Sequence, residues 1–200
     1  MGTDVFRRLR QQVGSTFRAT EAARAGVHWR DLYALRDAGE IIELSRGLYR
    51  FADAEAISSI DLLAVCRRAP HGMICLTSAL AHWDLTDEIP RRVHLAVPRG
   101  TSRPTIDYPP TTIHVFAAAT FDLGRQVADV GPGEAISISD PERTVVDVFR
   151  FRNRLGHDLA HTALRRYLRK PGADPSKIAA LAKKLRVEGP LIRSLQILLA

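Results

Sequence analysis

The first forty residues alternate between amphipathic segments and helix-breaking glycines. Apolar residues recur every three or four positions over 5–13 and 28–38, and an Ala-rich segment with Thr20 at its start lies between them. Gly26 and Gly39 follow the second and third segments, which is the usual place of glycine at a helix C-terminus. The pattern therefore predicts three short helices separated by tight turns.

Two short runs typical of β-strands follow the third helix. They cover 40–44 and 48–51, and Ser45-Arg46-Gly47 joins them. A three-residue loop with glycine at its last position favours a β-hairpin. Three helices and a hairpin are the order of a winged helix-turn-helix, in which the third helix enters the DNA major groove. We therefore predict such a domain over residues 1–57.

Candidate DNA-binding residues lie off the apolar face of the third helix and on the hairpin. Arginine can bind a guanine edge bidentately or pair with a phosphate. The predicted DNA-binding residues are Trp29, Arg30, Tyr33, Arg36, Arg46 and Arg50. Two alternatives remain open: the module serves only packing or dimerisation, and the two aromatic side chains belong partly to the core.

The rest of the chain predicts a second, larger domain over residues 58–200. Helical patterns cover 60–65, 77–83, 141–149, 157–169, 175–185 and 191–199, and strand patterns cover 93–97, 112–116 and 135–138. This predicts a small sheet followed by a helical C-terminal half. The predicted fold class is α+β, with an N-terminal winged helix-turn-helix followed by this mixed domain.

The junction between the third of these strands and its helix concentrates charged residues. Asp140, Glu142, Arg143 and Asp147 lie within two helical turns, and Ser139 or Asp140 can cap the helix before Pro141. Two of these carboxylates and the arginine could hold a metal or a phosphate. Capping together with an internal ion pair explains the same residues more simply, and we favour it.

The net charge of +7 is concentrated at the C-terminus. Residues 141–200 carry thirteen Arg or Lys against five Asp or Glu, whereas residues 1–57 carry nine against eight. A basic segment of this kind suggests an acidic partner, such as nucleic acid or an acidic protein surface. The charged start, the lack of long apolar runs and two cysteines, Cys66 and Cys75, predict a cytoplasmic protein with reduced thiols and no membrane partner.

Motifs of the common enzyme classes are absent from the sequence. It contains no GxxxxGK[ST], GxGxxG, GxSxG, HRD or DFG motif. His157 and His161 are spaced i, i+4 but lie in no HExxH motif, so we predict no metal site there. No cofactor is predicted from the residues.

Four segments, taken in order, resemble the AbiE family of antitoxins. Residues 32–50 resemble the winged helix of that family, which ends in an Arg-Gly-x-Tyr wing, and here Arg46-Gly47-Leu48-Tyr49 stands in its place. Residues 139–147 resemble its Asp-Pro-x-Arg-Thr motif, and residues 77–80 and 93–100 match in order and spacing. The Arg- and Ala-rich composition is similar to that of mycobacterium-like members.

The resemblance implies an antitoxin of a type IV-like system, encoded beside a nucleotidyltransferase-like toxin. Such antitoxins bind inverted repeats of operator DNA through the winged helix, repress their own operon and neutralise the toxin. One alternative is an atypical serine protein kinase that phosphorylates the toxin with Mg and ATP. Asp140, Glu142, Arg143 and Asp147 are its candidate catalytic residues, chosen by their chemistry. A second alternative is a neutraliser that only binds the toxin through its basic C-terminal face.

Overall fold

The computed structural model describes residues 2–199, which form a mixed α+β fold in two compact units. The first unit contains the residues up to Pro70 together with Pro104–Thr111 and Ala128–Ile136, and the second contains His71–Arg103, Thr112–Val127 and the residues from Ser137 onward. The α+β class expected from the sequence is confirmed. The domain boundary placed after residue 57 stays a prediction.

The first unit contains four helices and a three-stranded sheet among its described residues. Its elements are α1 (Gly2–Gln12), β1 (Thr16–Arg18), α2 (Ala19–Arg24), α3 (Trp29–Asp37), β2 (Ile41–Ser45), β3 (Leu48–Phe51) and α4 (Ile60–Arg68). The strands are antiparallel in the order β1-β3-β2. The hairpin and the three N-terminal helices match the pattern, whereas β1 was not expected.

A small apolar core holds the N-terminal elements together. Leu9 of α1, Phe17 of β1, Leu32 and Leu35 of α3 and Phe51 of β3 are all buried and belong to one cluster. Each large apolar side chain buried in this way contributes about 1.5–3 kcal/mol. Because Leu32 and Leu35 bury one side of α3, the opposite side is left at the surface.

Among its described residues, the second unit carries most of a five-stranded sheet, five α-helices and a short 3-10 helix at Ala118–Thr120. The remaining elements are β4 (Met73–Ile74), α5 (Leu76–His82), β5 (Val93–Pro98), β6 (Thr111–Phe116), β7 (Arg125–Gly131), β8 (Glu134–Ser139), α6 (Pro141–Leu155), α7 (His157–Leu168), α8 (Pro175–Lys184) and α9 (Glu188–Leu199). The strand order is β6-β5-β4-β8-β7, with β4 parallel to β8 and antiparallel to β5. Three of these strands were predicted, whereas β4 and β7 were not.

Local signals fix the ends of the C-terminal helices. The Asp140 side chain caps α6, and Pro141 occupies its first turn. Gly156, with φ of 103°, separates α6 from α7. Asp174 caps α8 by accepting hydrogen bonds from the backbone N–H groups of Ser176 at 2.9 Å and Lys177 at 3.0 Å. These caps explain why the helical pattern of this half could be predicted closely.

No helix within the described residues is long and apolar enough to cross a membrane. Cys66 and Cys75 are both buried thiols, as expected for reduced cysteines. Burial raises the pKa of the Cys75 thiol well above its usual value, so this thiol is a poor nucleophile.

Candidate nucleic-acid interface

The exposed side of α3 presents two aromatic rings to solvent. Trp29 is 59% exposed and Tyr33 is 43% exposed. Their spacing of four residues places them on one helix face, and their ring centroids lie 5.6 Å apart in an edge-on arrangement. Neither ring belongs to the core, which removes one of the alternatives that the sequence left open.

Two arginines flank these rings. The guanidinium carbon of Arg30 lies 5.9 Å from the Trp29 ring centroid, and that of Arg36 lies 4.8 Å from the Tyr33 ring centroid. Such contacts favour a cation over an aromatic face and restrict the arginine side chain. We call Trp29, Arg30, Tyr33 and Arg36 the α3 surface. The structure brings these four predicted residues together.

Arg36 also connects α3 to the hairpin. Its guanidinium lies 3.0 Å from Asp37 Oδ1 and donates a hydrogen bond of 3.4 Å to Glu43 Oε2 on β2. Glu43 in turn accepts a hydrogen bond from the Gly47 backbone N–H at 3.1 Å. Arg36 therefore positions α3 against β2 and the turn, and its charge is partly compensated inside the protein.

Arg46 lies exposed in the turn between β2 and β3, beside a basic hollow. Gly47, with φ of +71°, makes this turn, and its carbonyl accepts a hydrogen bond from the Ala19 backbone N–H at 2.9 Å. The hollow has a volume of about 490 Å³, and Arg18, Arg46 and Arg68 line it with a single carboxylate, that of Asp107. Three guanidinium groups around one opening suit an anion such as a phosphate.

The sequence pattern does not single out Arg18 or Arg68. Arg18 lies in β1, a strand of three residues without a recognisable pattern, and Arg68 ends α4, which was assigned to the second domain. Arg18 also lines a second hollow of about 300 Å³ with Arg24 and Arg67. The only sequence signal was the local density of arginine, which does not reveal that these residues converge.

Arg50 does not belong with the exposed arginines. Its side chain is 8% exposed, and it donates hydrogen bonds to Thr16 Oγ1 at 2.7 Å, Glu134 Oε1 at 3.3 Å and the Glu55 carbonyl at 2.6 Å. The expectation that Arg50 contacts a DNA phosphate is corrected on this ground. Its guanidinium is held inside the first unit by acceptors from three segments of the chain.

The acidic cluster at the start of α6 is built into the fold of the second unit. Asp140 Oδ1 accepts the Arg143 backbone N–H at 2.6 Å, and Arg143 Nε donates to Asp147 Oδ2 at 2.7 Å. Arg143 and Asp147 have no exposed side-chain surface. Burial raises the pKa of the Asp147 carboxyl, and the guanidinium groups of Arg143 and Arg150 oppose this rise.

The fourth member of the cluster contacts α7 and α8. Glu142 accepts hydrogen bonds from Tyr167 at 3.0 Å and Lys177 at 2.9 Å, and Lys177 also lies 3.1 Å from Asp140. The arrangement is a capped helix with internal ion pairs, the interpretation favoured from the sequence. These contacts give the four side chains a structural role. The kinase alternative stays a prediction, and none of these contacts favours it.

Comparison with known proteins connects the α3 surface to a family. Residues 5–52 match the family model described as a transcriptional regulator, AbiEi antitoxin. The matched segment runs from α1 through β3 and contains the α3 surface and Arg46. This part of the chain is therefore similar to AbiEi antitoxin regulators, in agreement with the resemblance seen in the sequence.

The fold of the chain is similar to that of a solved structure. The crystal structure of the RV2827C protein from Mycobacterium tuberculosis superposes with a TM-score of 0.53 at 16% sequence identity. The match covers 98% of this chain and 80% of that protein. At this identity the similarity concerns the fold. No curated protein matches the chain significantly.

Proposed function

We propose that this protein is a DNA-binding antitoxin that represses its own operon, with residues 1–57 acting as a winged helix-turn-helix. The observation that carries the proposal is the α3 surface, which lies inside the segment similar to AbiEi regulators. Exposed aromatic rings beside arginines on a solvent-facing helix are typical of an interaction surface. The exposed side of α3 suits the major groove, which admits one α-helix.

Within this surface Arg30 is the residue best suited to read a base. Among the described residues, Arg30 has no ion pair. Its guanidinium approaches the Trp29 ring. A guanidinium without a carboxylate partner can bond a guanine edge bidentately without first breaking an ion pair. Arg36 already forms ion pairs with Asp37 and Glu43. We therefore assign it mainly to holding α3 in place and less to base recognition.

The basic hollow extends the proposed interface to the phosphate backbone. Arg18, Arg46 and Arg68 converge there from β1, the hairpin turn and α4. Arginine contacts to phosphate fix the position of a protein on DNA and add affinity that depends on salt. We therefore propose that the α3 surface supplies sequence preference and that the hollow supplies most of the electrostatic affinity.

The partners follow from the same similarity. We propose operator DNA with inverted repeats as one partner and a cognate nucleotidyltransferase-like toxin as the other, in a type IV-like AbiE system. The similarity to AbiEi antitoxin regulators over residues 5–52 supports this pairing. The neutraliser that only binds the toxin through the basic C-terminal face stays an alternative, and it predicts a stable complex that weakens with salt.

The test is fluorescence anisotropy with a labelled duplex taken from upstream of the gene and a scrambled duplex of equal length. We expect Arg30→Ala to weaken operator binding by roughly 1–3 kcal/mol and to reduce the preference over the scrambled duplex. Arg36→Ala and Arg46→Ala should also weaken binding. Arg7→Ala is the matched control, because Arg7 is exposed on α1. Unchanged operator binding by all three variants would show that the α3 surface is not the interface.

A further inference from the structure

A groove in the second unit lies apart from the α3 surface in sequence and is basic as well. It has a volume of about 480 Å³, which is within the usual range for small-molecule sites. Arg99, which follows β5, lines it with Phe116 of β6 and with Arg150, Phe151, Asn153 and Arg154 of α6. No Asp or Glu lines the groove.

The charge of this groove is largely uncompensated. Arg150 lies 3.2 Å from Asp147 Oδ1, but Asp147 also pairs with Arg143, so two guanidinium groups share one carboxylate. Among the described residues, the side chains of Arg99 and Arg154 have no ion pair or hydrogen bond. Three arginines therefore present more positive charge than the surrounding residues neutralise.

The helix that carries two of these arginines gains from them only in part: Arg150 pairs with Asp147, and Arg154 lies in the last turn of α6, where a cation is favoured. Arg150 and Arg154 are spaced i, i+4 on α6, and like charges at that spacing are destabilising. Arg99 adds a third positive charge from a different element. An anion in the groove would relieve this repulsion, so the arrangement suits an anionic ligand.

Aromatic side chains form one wall of the groove. The ring centroids of Phe116 and Phe151 lie 5.8 Å apart in a stacked arrangement, and the Arg150 guanidinium lies 4.5 Å from the Phe116 centroid. Phe116 is buried and Phe151 is half-buried, so Phe151 offers apolar surface to the opening. A ligand that carries both an anionic group and a flat ring would contact both kinds of wall.

A histidine pair lies behind this wall. His94 Nδ1 and His114 Nε2 are 3.0 Å apart, which requires that one ring nitrogen donates and the other accepts. Burial, together with the nearby His94, Arg154 and Arg150, lowers the pKa of His114 to about 4. His114 is therefore neutral at neutral pH, and the charge of the groove comes from the arginines.

We infer that this groove binds a small phosphorylated ligand of nucleotide size, with its phosphates held by Arg99, Arg150 and Arg154 and its ring against Phe151. Arginine matches phosphate oxygens with two parallel hydrogen bonds, which a compact ammonium group cannot do. The volume suits one nucleoside phosphate. The site goes beyond the proposed DNA interface, because its residues lie in the second unit and outside residues 5–52.

The experiment is isothermal titration calorimetry of the full chain, without DNA, using ATP, pyrophosphate and adenosine as probes. We expect saturable binding of ATP, weaker binding of pyrophosphate and none of adenosine. The double variant Arg99→Gln/Arg154→Gln should weaken ATP binding by at least about tenfold. The matched control, Arg165→Gln/Arg169→Gln, removes two exposed arginines near the end of α7 and should bind as the unchanged protein does.

A second measurement detects ligand binding through the pKa of a histidine beside the groove. ATP near Arg150 and Arg154 should raise the pKa of His114 from about 4, because a nearby anion favours the imidazolium form. An NMR pH titration of the imidazole resonances measures this change. The inference is overturned if neither ATP nor pyrophosphate binds at millimolar concentration, or if the double variant and the control bind ATP equally. It is also overturned if only duplex DNA binds through these arginines.

Discussion

The carboxylate of Asp147 is fully buried. Its side chain and that of Arg143 are fully buried and joined at 2.7 Å. We expect Asp147→Ala to lower the free energy of unfolding by roughly 3–5 kcal/mol, because it leaves the Arg143 charge buried without its partner. Urea denaturation followed by circular dichroism measures this change.

A double variant separates the lost ion pair from lost packing. Arg143→Met/Asp147→Leu removes both charges and keeps apolar volume, so it should recover much of the stability lost in the single variant. If the double variant is less stable than Asp147→Ala, the cluster contributes more than an isolated ion pair, and the other hydrogen bonds of Arg143 would become the explanation.

For individual residues, the sequence predicts side-chain pairs only where the two residues are close along the chain. The cap of α6 and the Arg143–Asp147 pair lie within eight consecutive residues, so spacing alone indicates them. Arg50 pairs with Glu134, a residue 84 positions away, and no local pattern could show that its guanidinium is buried. Trp29 and Tyr33 were ambiguous because a short helix allows several positions for its apolar face.

Among the elements, α6 depends on a glycine in the turn before β7. Gly124 has φ of +68°, and a Cβ built there would lie 2.6 Å from Arg143 Cβ in the first turn of α6. We expect Gly124→Ala to cost roughly 1–3 kcal/mol from overpacking, in addition to the backbone strain. Thermal and urea unfolding of the variant measure the sum.

Gly133 provides the matched control for this substitution. Its φ is +69°, and a Cβ at that position would meet no atom within 4 Å. Gly133→Ala should therefore cost only the backbone strain, about 1–2 kcal/mol. The difference between the two variants isolates the contact with α6, and equal losses would show that this contact is unimportant.

Element length decided which elements the sequence could reveal. The helices α6 to α9 contain ten to fifteen residues each, long enough for their period to be recognised. The strands β1 and β4 contain three and two residues, and alternation cannot be recognised over so few positions. The five-stranded sheet was expected only as a small one because two of its strands were missed.

For the molecule as a whole, the proposed DNA contacts divide into those that read sequence and those that respond to salt. Arg68→Ala should reduce the slope of log affinity against log salt by about 1 and weaken operator and scrambled duplexes alike, because Arg68 lines the basic hollow. Arg165→Ala, in the basic C-terminal half, should leave the slope unchanged. Anisotropy titrations at several salt concentrations measure both. An unchanged slope for Arg68→Ala would remove the hollow from the interface.

Glu134 restricts which truncations and substitutions this protein can tolerate. Its buried carboxylate accepts from Arg50 of β3 at 3.3 Å and from Arg67 of α4 at 2.7 Å. A truncation after residue 57 would leave Arg50 without this acceptor. The N-terminal segment is therefore not expected to be exchanged by recombination as an independent domain. Position 134 is expected to stay acidic wherever position 50 is an arginine, since a neutral side chain at 134 would leave the buried Arg50 without its carboxylate.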